Sequence, residues 1–133
     1  MSINDCKIID IETHQDHFWN RGKLSVFDIN TFNIKRIFYI YEVPKDTVRG
    51  GHAHKNCEQL LIAIYGGLQV LVKDGNEYKY YILNNPSKAL YVPPYTWVEI
   101  DGEKDFICLV AASELYSEED YIRDYSKFLE EVK

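Results

Sequence analysis

The sequence predicts an all-β sandwich or barrel closed by a single C-terminal helix. Two observations carry this. Short apolar or alternating runs recur at roughly even spacing between Gly, Asn and Pro turns, and helical spacing of apolar residues is sustained only near the C-terminus. Tyrosine use supports the first: 11 Tyr stand against 6 Phe and 2 Trp, and Tyr favours strands.

Taken in order, residues 24–29 alternate weakly, and residues 34–41 are β-branched and aromatic. The stretch 59–65 is a continuous apolar run after Gln59, the pattern of a strand buried on both faces. Gly66-Gly67 follows, and residues 68–73 alternate cleanly, which together read as a tight hairpin. Asp74-Gly75-Asn76 turns the chain into 78–83, and Asn84-Asn85-Pro86 turns it again. Runs at 90–92, 97–100 and 106–112 complete the strands. Ser117 with Asp120 three residues on has the form of a capping box. Tyr121, Ile122, Tyr125, Phe128, Leu129 and Val132 then recur at helical spacing, so a helix is expected from about Ser117, packed outside the barrel.

A chain of 133 residues is the size of one domain, 1–133, and buries a core without staples. The formal net charge of −6 argues against general binding to nucleic acid or anionic membranes. It leaves room for one phosphorylated ligand held by a local group of arginines. Cys6, Cys57 and Cys108 are odd in number and widely spaced, which predicts free thiols and a reducing compartment. No basic, apolar leader opens the sequence, and no apolar run is long enough to span a bilayer, so a cytoplasmic location is expected.

The chemistry concentrates at Arg49-Gly50-Gly51-His52-Ala53-His54-Lys55, with Glu58 beyond. Two histidines one residue apart on a strand project from the same face. The glycines before them relax the backbone and let a ligand approach. A structural role for the pair is one reading. A second is metal: His52, His54 and Glu58 match the first half of the metal-binding cupin signature, but the later strand, Pro93 to Val98, has no histidine to complete a cage. The third, preferred here, is metal-free acid/base work, because an imidazole near its ordinary pKa of about 6.5 both accepts and donates protons. Arg36 and Arg49 flank the strands leading into the motif, and their guanidinium forks suit a diphosphate. Tyr39, Tyr41, Tyr95 and Trp97 offer faces to a base or sugar.

Together, Arg21-Gly22-x-Leu24, Ile34-Lys35-Arg36 with Tyr39, Arg49-Gly50-x-His52-Ala53-His54-Lys55 with Gln59, and Asp120-Tyr121-Ile122-Arg123 resemble the dTDP-4-keto-6-deoxyglucose 3,4-ketoisomerases. The resemblance runs from about Asp10 to Phe128. It implies a cupin (jelly-roll) β-barrel with a C-terminal α-helix, without metal or other cofactor, working as a homodimer with N-terminal strand exchange. It implies a reaction that moves the keto group of a dTDP-linked 6-deoxy sugar from C4 to C3, supplying 3-amino-3,6-dideoxy sugars for surface glycans such as lipopolysaccharide or S-layer glycan. His52 would be the base and His54 its assistant. Arg21, Arg36, Arg49, Tyr39, Gln59 and Trp97 would contact substrate. In the branch forming the galacto product the resemblance implies Arg at position 21 and His at position 98; Arg21 agrees and Val98 does not. A related 3,5-epimerase, a non-catalytic sugar-nucleotide-binding cupin and a metal-dependent cupin are the alternative readings.

Overall fold

The computed structural model describes residues 3–16, 18, 20–28 and 30–133. Met1, Ser2, His17, Trp19 and Ile29 lie outside them, and Ile29 takes with it the end of the run expected at 24–29. Twelve strands are formed among the described residues: β1 Lys7–Asp10, β2 Glu12–Gln15, β3 Lys23–Val26, β4 Arg36–Ile40, β5 Arg49–His54, β6 Gln59–Tyr65, β7 Leu68–Lys73, β8 Tyr78–Leu83, β9 Lys88–Val92, β10 Trp97–Gly102, β11 Ile107–Ala112 and β12 Tyr121–Ile122. One antiparallel sheet has the order β1-β9-β6-β11-β4, and its partner has the order β12-β5-β10-β7-β8. β2 and β3 form a separate, exposed two-stranded hairpin. This is the β-sandwich with a C-terminal helix that the sequence predicts, in the jelly-roll form that the resemblance implies.

The period of two explains the layering. Along β7, Leu68, Val70 and Val72 are buried and the residues between them half-buried. They meet Leu61, Leu90, Val98 and Val110 between the two sheets. β6 is buried on both faces as far as Ala63, with Leu60 and Ile62 covered by Phe27 and Phe32 on the outside. Ile64 and Tyr65 at its end are exposed.

Two expectations are corrected. Gly66-Gly67 does not close a hairpin: β6 pairs with β9 and β11, whereas β7 pairs with β8 and β10. The glycines make a corner where the chain changes sheets, and local alternation on either side of a Gly pair is the same for both outcomes. The helix α1 spans Tyr125–Glu131, not a segment from Ser117. Its N-cap is Asp124, whose side chain accepts from the Ser126 backbone N–H at 2.8 Å. Ser117 makes no side-chain cap, and Tyr121 and Ile122 pair with His54 and Ala53 on β5. The apolar stripe is thus built from a strand and a helix in succession. Phe128 seats α1 on the outer face of β5 and β10, against Ala53, Trp97 and Ile122.

The histidine strand needs its glycines. Val98 stands opposite His52 and Glu99 opposite Gly50, so Gly51 is the extra residue of a bulge. Gly50 and Gly51 have φ of +90° and +75°, a region that an L side chain enters at about 1–2 kcal/mol. A Cβ on Gly50 would also stand 2.7 Å from the Val98 carbonyl oxygen, whereas one on Gly51 would meet open space. Gly51→Ala should therefore cost roughly 1–2 kcal/mol. Gly50→Ala should cost more, because the backbone clash adds to the same torsional penalty. Urea unfolding of both variants checks the order, and equal losses would contradict it.

Candidate active site

A cavity of about 310 Å³ opens at one end of the sandwich, between β4, β6 and β11 on one side and β5 and β10 on the other. Its floor is the upper edge of the core: Phe38, Ile40, Leu61, Val98, Ile100 and Val110. Its polar groups are Arg36, Arg49, His52, Gln59, Tyr121 and Arg123. Alternation along β5 sends Ala53 outward to α1 and both histidines toward the interior. Their rings meet edge to face with centroids 5.1 Å apart.

His54 lies behind His52 and is buried. Its Nδ1 is 2.9 Å from Asp120 Oδ2. A carboxylate only accepts, so neutral His54 carries its proton on Nδ1, and its Nε2 accepts from Gln59 Nε2 at 3.3 Å. The other Asp120 oxygen accepts from the Asn56 backbone N–H at 2.6 Å. The Tyr95 backbone N–H donates to the His54 carbonyl at 2.6 Å, which fastens the end of β5. The Tyr121 ring packs 4.3 Å from His54 and 5.0 Å from His52, and the Arg123 guanidinium lies over it at 4.2 Å.

Burial and neighbouring cationic groups keep the pair neutral. Burial, then His54 and Arg123, pull the pKa of His52 down from 6.5 to about 4. Burial lowers His54 as well, with the Asp120 carboxylate opposing it. His52 Nδ1 is buried without a hydrogen-bond partner, which leaves Nε2 as the nitrogen available to a ligand. The side chain facing the cavity is therefore an unprotonated base at neutral pH, backed by a histidine whose proton position is set by a carboxylate.

The other expected residues divide. Arg36, Arg49 and Gln59 line the cavity. Trp97 does not: neighbours on a strand face opposite ways, so Val98 points inward and Trp97 packs on Tyr125 and Phe128 beneath α1, its Nε1–H donating to Glu99 at 3.0 Å. Arg21 sits on the exposed β2–β3 hairpin, paired with Asp16. Tyr39 is 62% exposed beside Tyr41, in a neighbouring groove that shares Ile40 and Arg49 with the cavity. Glu58 stands apart from the histidines, holding the Tyr91 hydroxyl at 2.6 Å. The donors that do converge among the described residues are His54, Cys57 and Asp120, within 4.8 Å of one another. His54 Nδ1 and both Asp120 oxygens are already hydrogen-bonded there, and the Cys57 thiol donates to the Glu58 carbonyl. All three cysteines are free and buried. No helix among the described residues is long and apolar enough to cross a membrane.

Helical spacing concealed the contributions of Asp120, Tyr121 and Arg123. The four-residue block itself was conspicuous, but its place in the cavity follows from β12 pairing with β5.

A family model described as FdtA, WxcM-like, C-terminal, matches residues 4–133. A TDP-4-oxo-6-deoxy-α-D-glucose-3,4-oxoisomerase from Aneurinibacillus thermoaerophilus is 39% identical over 95% of this chain and 87% of its own length. The crystal structure of a 3,4-ketoisomerase from Helicobacter canadensis superposes with a TM-score of 0.90 at 39% identity, covering 96% of this chain and 97% of that one. A sugar 3,4-ketoisomerase from Thermoanaerobacterium thermosaccharolyticum, in complex with TDP, also gives 0.90, at 36% identity, covering 96% of this chain and 94% of that one.

The electrostatics of the pair have a measurable consequence. His52 should titrate in NMR with a midpoint near pH 4, far below its ordinary 6.5. An unfolded chain takes up that proton near pH 6.5, so between the two values the unfolded state binds more protons. The stability tied to neutral His52 is complete above about pH 6.5 and is lost as the pH falls toward 4. A midpoint at or above 6.5 would contradict this account.

Proposed function

The chain belongs to the FdtA family of 3,4-ketoisomerases, and we propose that it moves the keto group of dTDP-4-keto-6-deoxyglucose from C4 to C3. The observation that carries the proposal is a cavity that presents a neutral histidine backed by an Asp–His pair, with arginines around it. The carbonyl at C4 acidifies the proton on C3. His52 removes that proton, and the C–H electron pair forms the C3=C4 double bond while the carbonyl electrons move onto O4. O4 gains a proton, O3 loses its own, and a proton delivered to C4 leaves the carbonyl at C3. Every atom is conserved, and no oxidant or reductant enters. A positioned base contributes on the order of 10²–10⁴-fold. His54, held by Asp120 and Gln59, orients and relays.

The remaining contacts follow from size. The cavity of about 310 Å³ has room for a hexose but not for a whole nucleoside diphosphate sugar. The diphosphate therefore lies at the mouth, where Arg49 and Arg123 are exposed. Arg49 also lines the groove of Tyr39 and Tyr41, which suits the thymine. We place Arg21 at a subunit boundary: the β2–β3 hairpin joins neither large sheet, Leu24 and Phe18 on it are 63% and 84% exposed, and Ile37, Ile64 and Tyr65 leave an apolar outer face on the first sheet. These features support a homodimer with exchanged N-terminal segments. The product would enter amino-sugar synthesis for surface glycans in the cytoplasm.

Incubation with dTDP-4-keto-6-deoxyglucose in deuterated water, followed by NMR of the sugar, should show the 3-keto product with deuterium at C4, and it reports the C4 configuration beside Val98. Recovery of the unchanged, undeuterated sugar would exclude the reaction. His52→Asn should abolish exchange at C3 while TDP still binds; near-full exchange in that variant would place the base elsewhere. Arg49→Ala should weaken TDP binding by roughly 1–3 kcal/mol, the scale of a charge-assisted hydrogen bond.

A further inference from the structure

We propose that Arg36 is a catalytic residue of the cavity: its guanidinium stabilises the negative oxygens of the enediolate, while Arg49 and Arg123 hold the diphosphate. The assignment rests on the ketoisomerase reading. It also departs from the sequence-based expectation that Arg36 meets the diphosphate.

Position separates the three arginines. Arg36 opens β4 and shares its inward face with Phe38 and Ile40. It is half-buried, whereas Arg49 and Arg123 are exposed at the rim. A nucleotide sugar enters a closed-ended cavity with its terminal sugar foremost. The cation farthest from solvent therefore meets the sugar, and the rim cations meet the phosphates.

Arg36 also lacks what Arg21 and Arg123 have. Arg123 is tied to Glu118 through Nη2 at 3.0 Å and through Nε, and Arg21 is paired with Asp16. Among the described residues Arg36 forms no ion pair, and its Nε is buried with no acceptor. The Phe38 and Tyr116 rings hold the guanidinium at 5.1 and 5.8 Å from their centroids. Aromatic contact can fix a guanidinium while leaving its N–H edge without an acceptor. A buried donor with no acceptor costs free energy in the resting protein, and an anion formed in the cavity removes that cost. The charge reaches the chemistry, since Arg36 is among the groups that disfavour protonation of His54.

The reaction places charge where this residue can use it. Removal of the C3 proton puts a full negative charge on O4, and the later loss of the O3 proton puts it on O3. These oxygens sit on adjacent carbons. A planar fork with several N–H donors can serve both in turn without moving, which a single ammonium cannot. Beside the apolar wall of Phe38, Leu61 and Val110 the attraction is screened less than in open water.

The test pairs Arg36→Met with Arg36→Lys and Arg36→Ala, measuring TDP affinity by calorimetry, kcat, and deuterium exchange at C3. TDP affinity should stay within about threefold of wild type in all three, which also shows that the variants fold. The loss of kcat in Arg36→Met should be on the order of 10²–10³-fold, the usual effect of deleting one donor to a developing oxyanion. Arg36→Lys should fall between Met and wild type. Added guanidinium should restore part of the kcat of Arg36→Ala, a rescue that a purely structural defect would not show. A tenfold or greater loss of TDP affinity with kcat intact would assign Arg36 to the diphosphate and overturn the proposal. So would a kcat within threefold of wild type in Arg36→Met when the wild type is active. A wild type with no turnover would remove the functional reading, and this assignment with it.

Discussion

One buried carboxylate holds the site together. Asp120 accepts from His54 through one oxygen and from the Asn56 backbone through the other, and its own carbonyl accepts from the Lys55 N–H at 2.9 Å. A buried carboxylate is tolerable only when its oxygens are occupied in this way. Meeting that requirement draws the chain after β11 back against β5. Tyr121 and Arg123 are carried into the cavity wall as a result, and α1 is left to cover the outside. A single satisfied side chain thus fixes the His54 tautomer and brings Tyr121 and Arg123 to the cavity.

The cavity balances two opposed demands. A diphosphate ligand and an anionic intermediate call for positive charge, and the cavity supplies three arginines. Burial above all, with His54, Arg123 and Arg49 adding to it, disfavours protonated His52, which is why it is held near pKa 4. A base so depressed is weak in the ground state. In the proposed reaction its proton acceptance would be driven largely by the acidity of the substrate carbon, which the cations would raise by stabilising the enediolate. The Asp120 carboxylate offsets part of this for His54 alone. Two chemically identical side chains, separated by one residue, are set apart by environment into a ligand-facing base and a buried partner.

The β10 strand shows how narrowly such a site is specified. Trp97 and Val98 are adjacent, and the period of two sends one under the helix and the other into the cavity beside His52. The larger aromatic looked the better ligand contact by its chemistry, but parity on the strand gives that place to Val98. An apolar side chain at this position offers the sugar no proton donor or acceptor. Arg36, Gln59, Tyr121 and His52 are therefore the polar groups of the deeper cavity.

By itself the sequence determined the strand-rich architecture, because alternation and turn chemistry are local, and it determined that His52 and His54 lie together, because two residues apart on any strand means one face. Gly50 and Gly51 could likewise be read as backbone freedom beside the histidines. What only the tertiary structure decided were matters of partner choice. Gly66-Gly67 reads as a hairpin or as a corner between sheets, and the difference lies in β9 and β11, far along the chain. β1 and β2 escaped notice because one is a sheet edge and the other belongs to an exposed hairpin, so neither carries a buried period. Tyr121 and Ile122 keep helical spacing with Phe128, yet a strand can present the same residues to the same surface. The pull of Asp120 on His54, across 66 positions of sequence, resolved that choice. Long-range hydrogen bonds of this kind leave no periodic trace along the chain, so they are settled only once the sheets have closed.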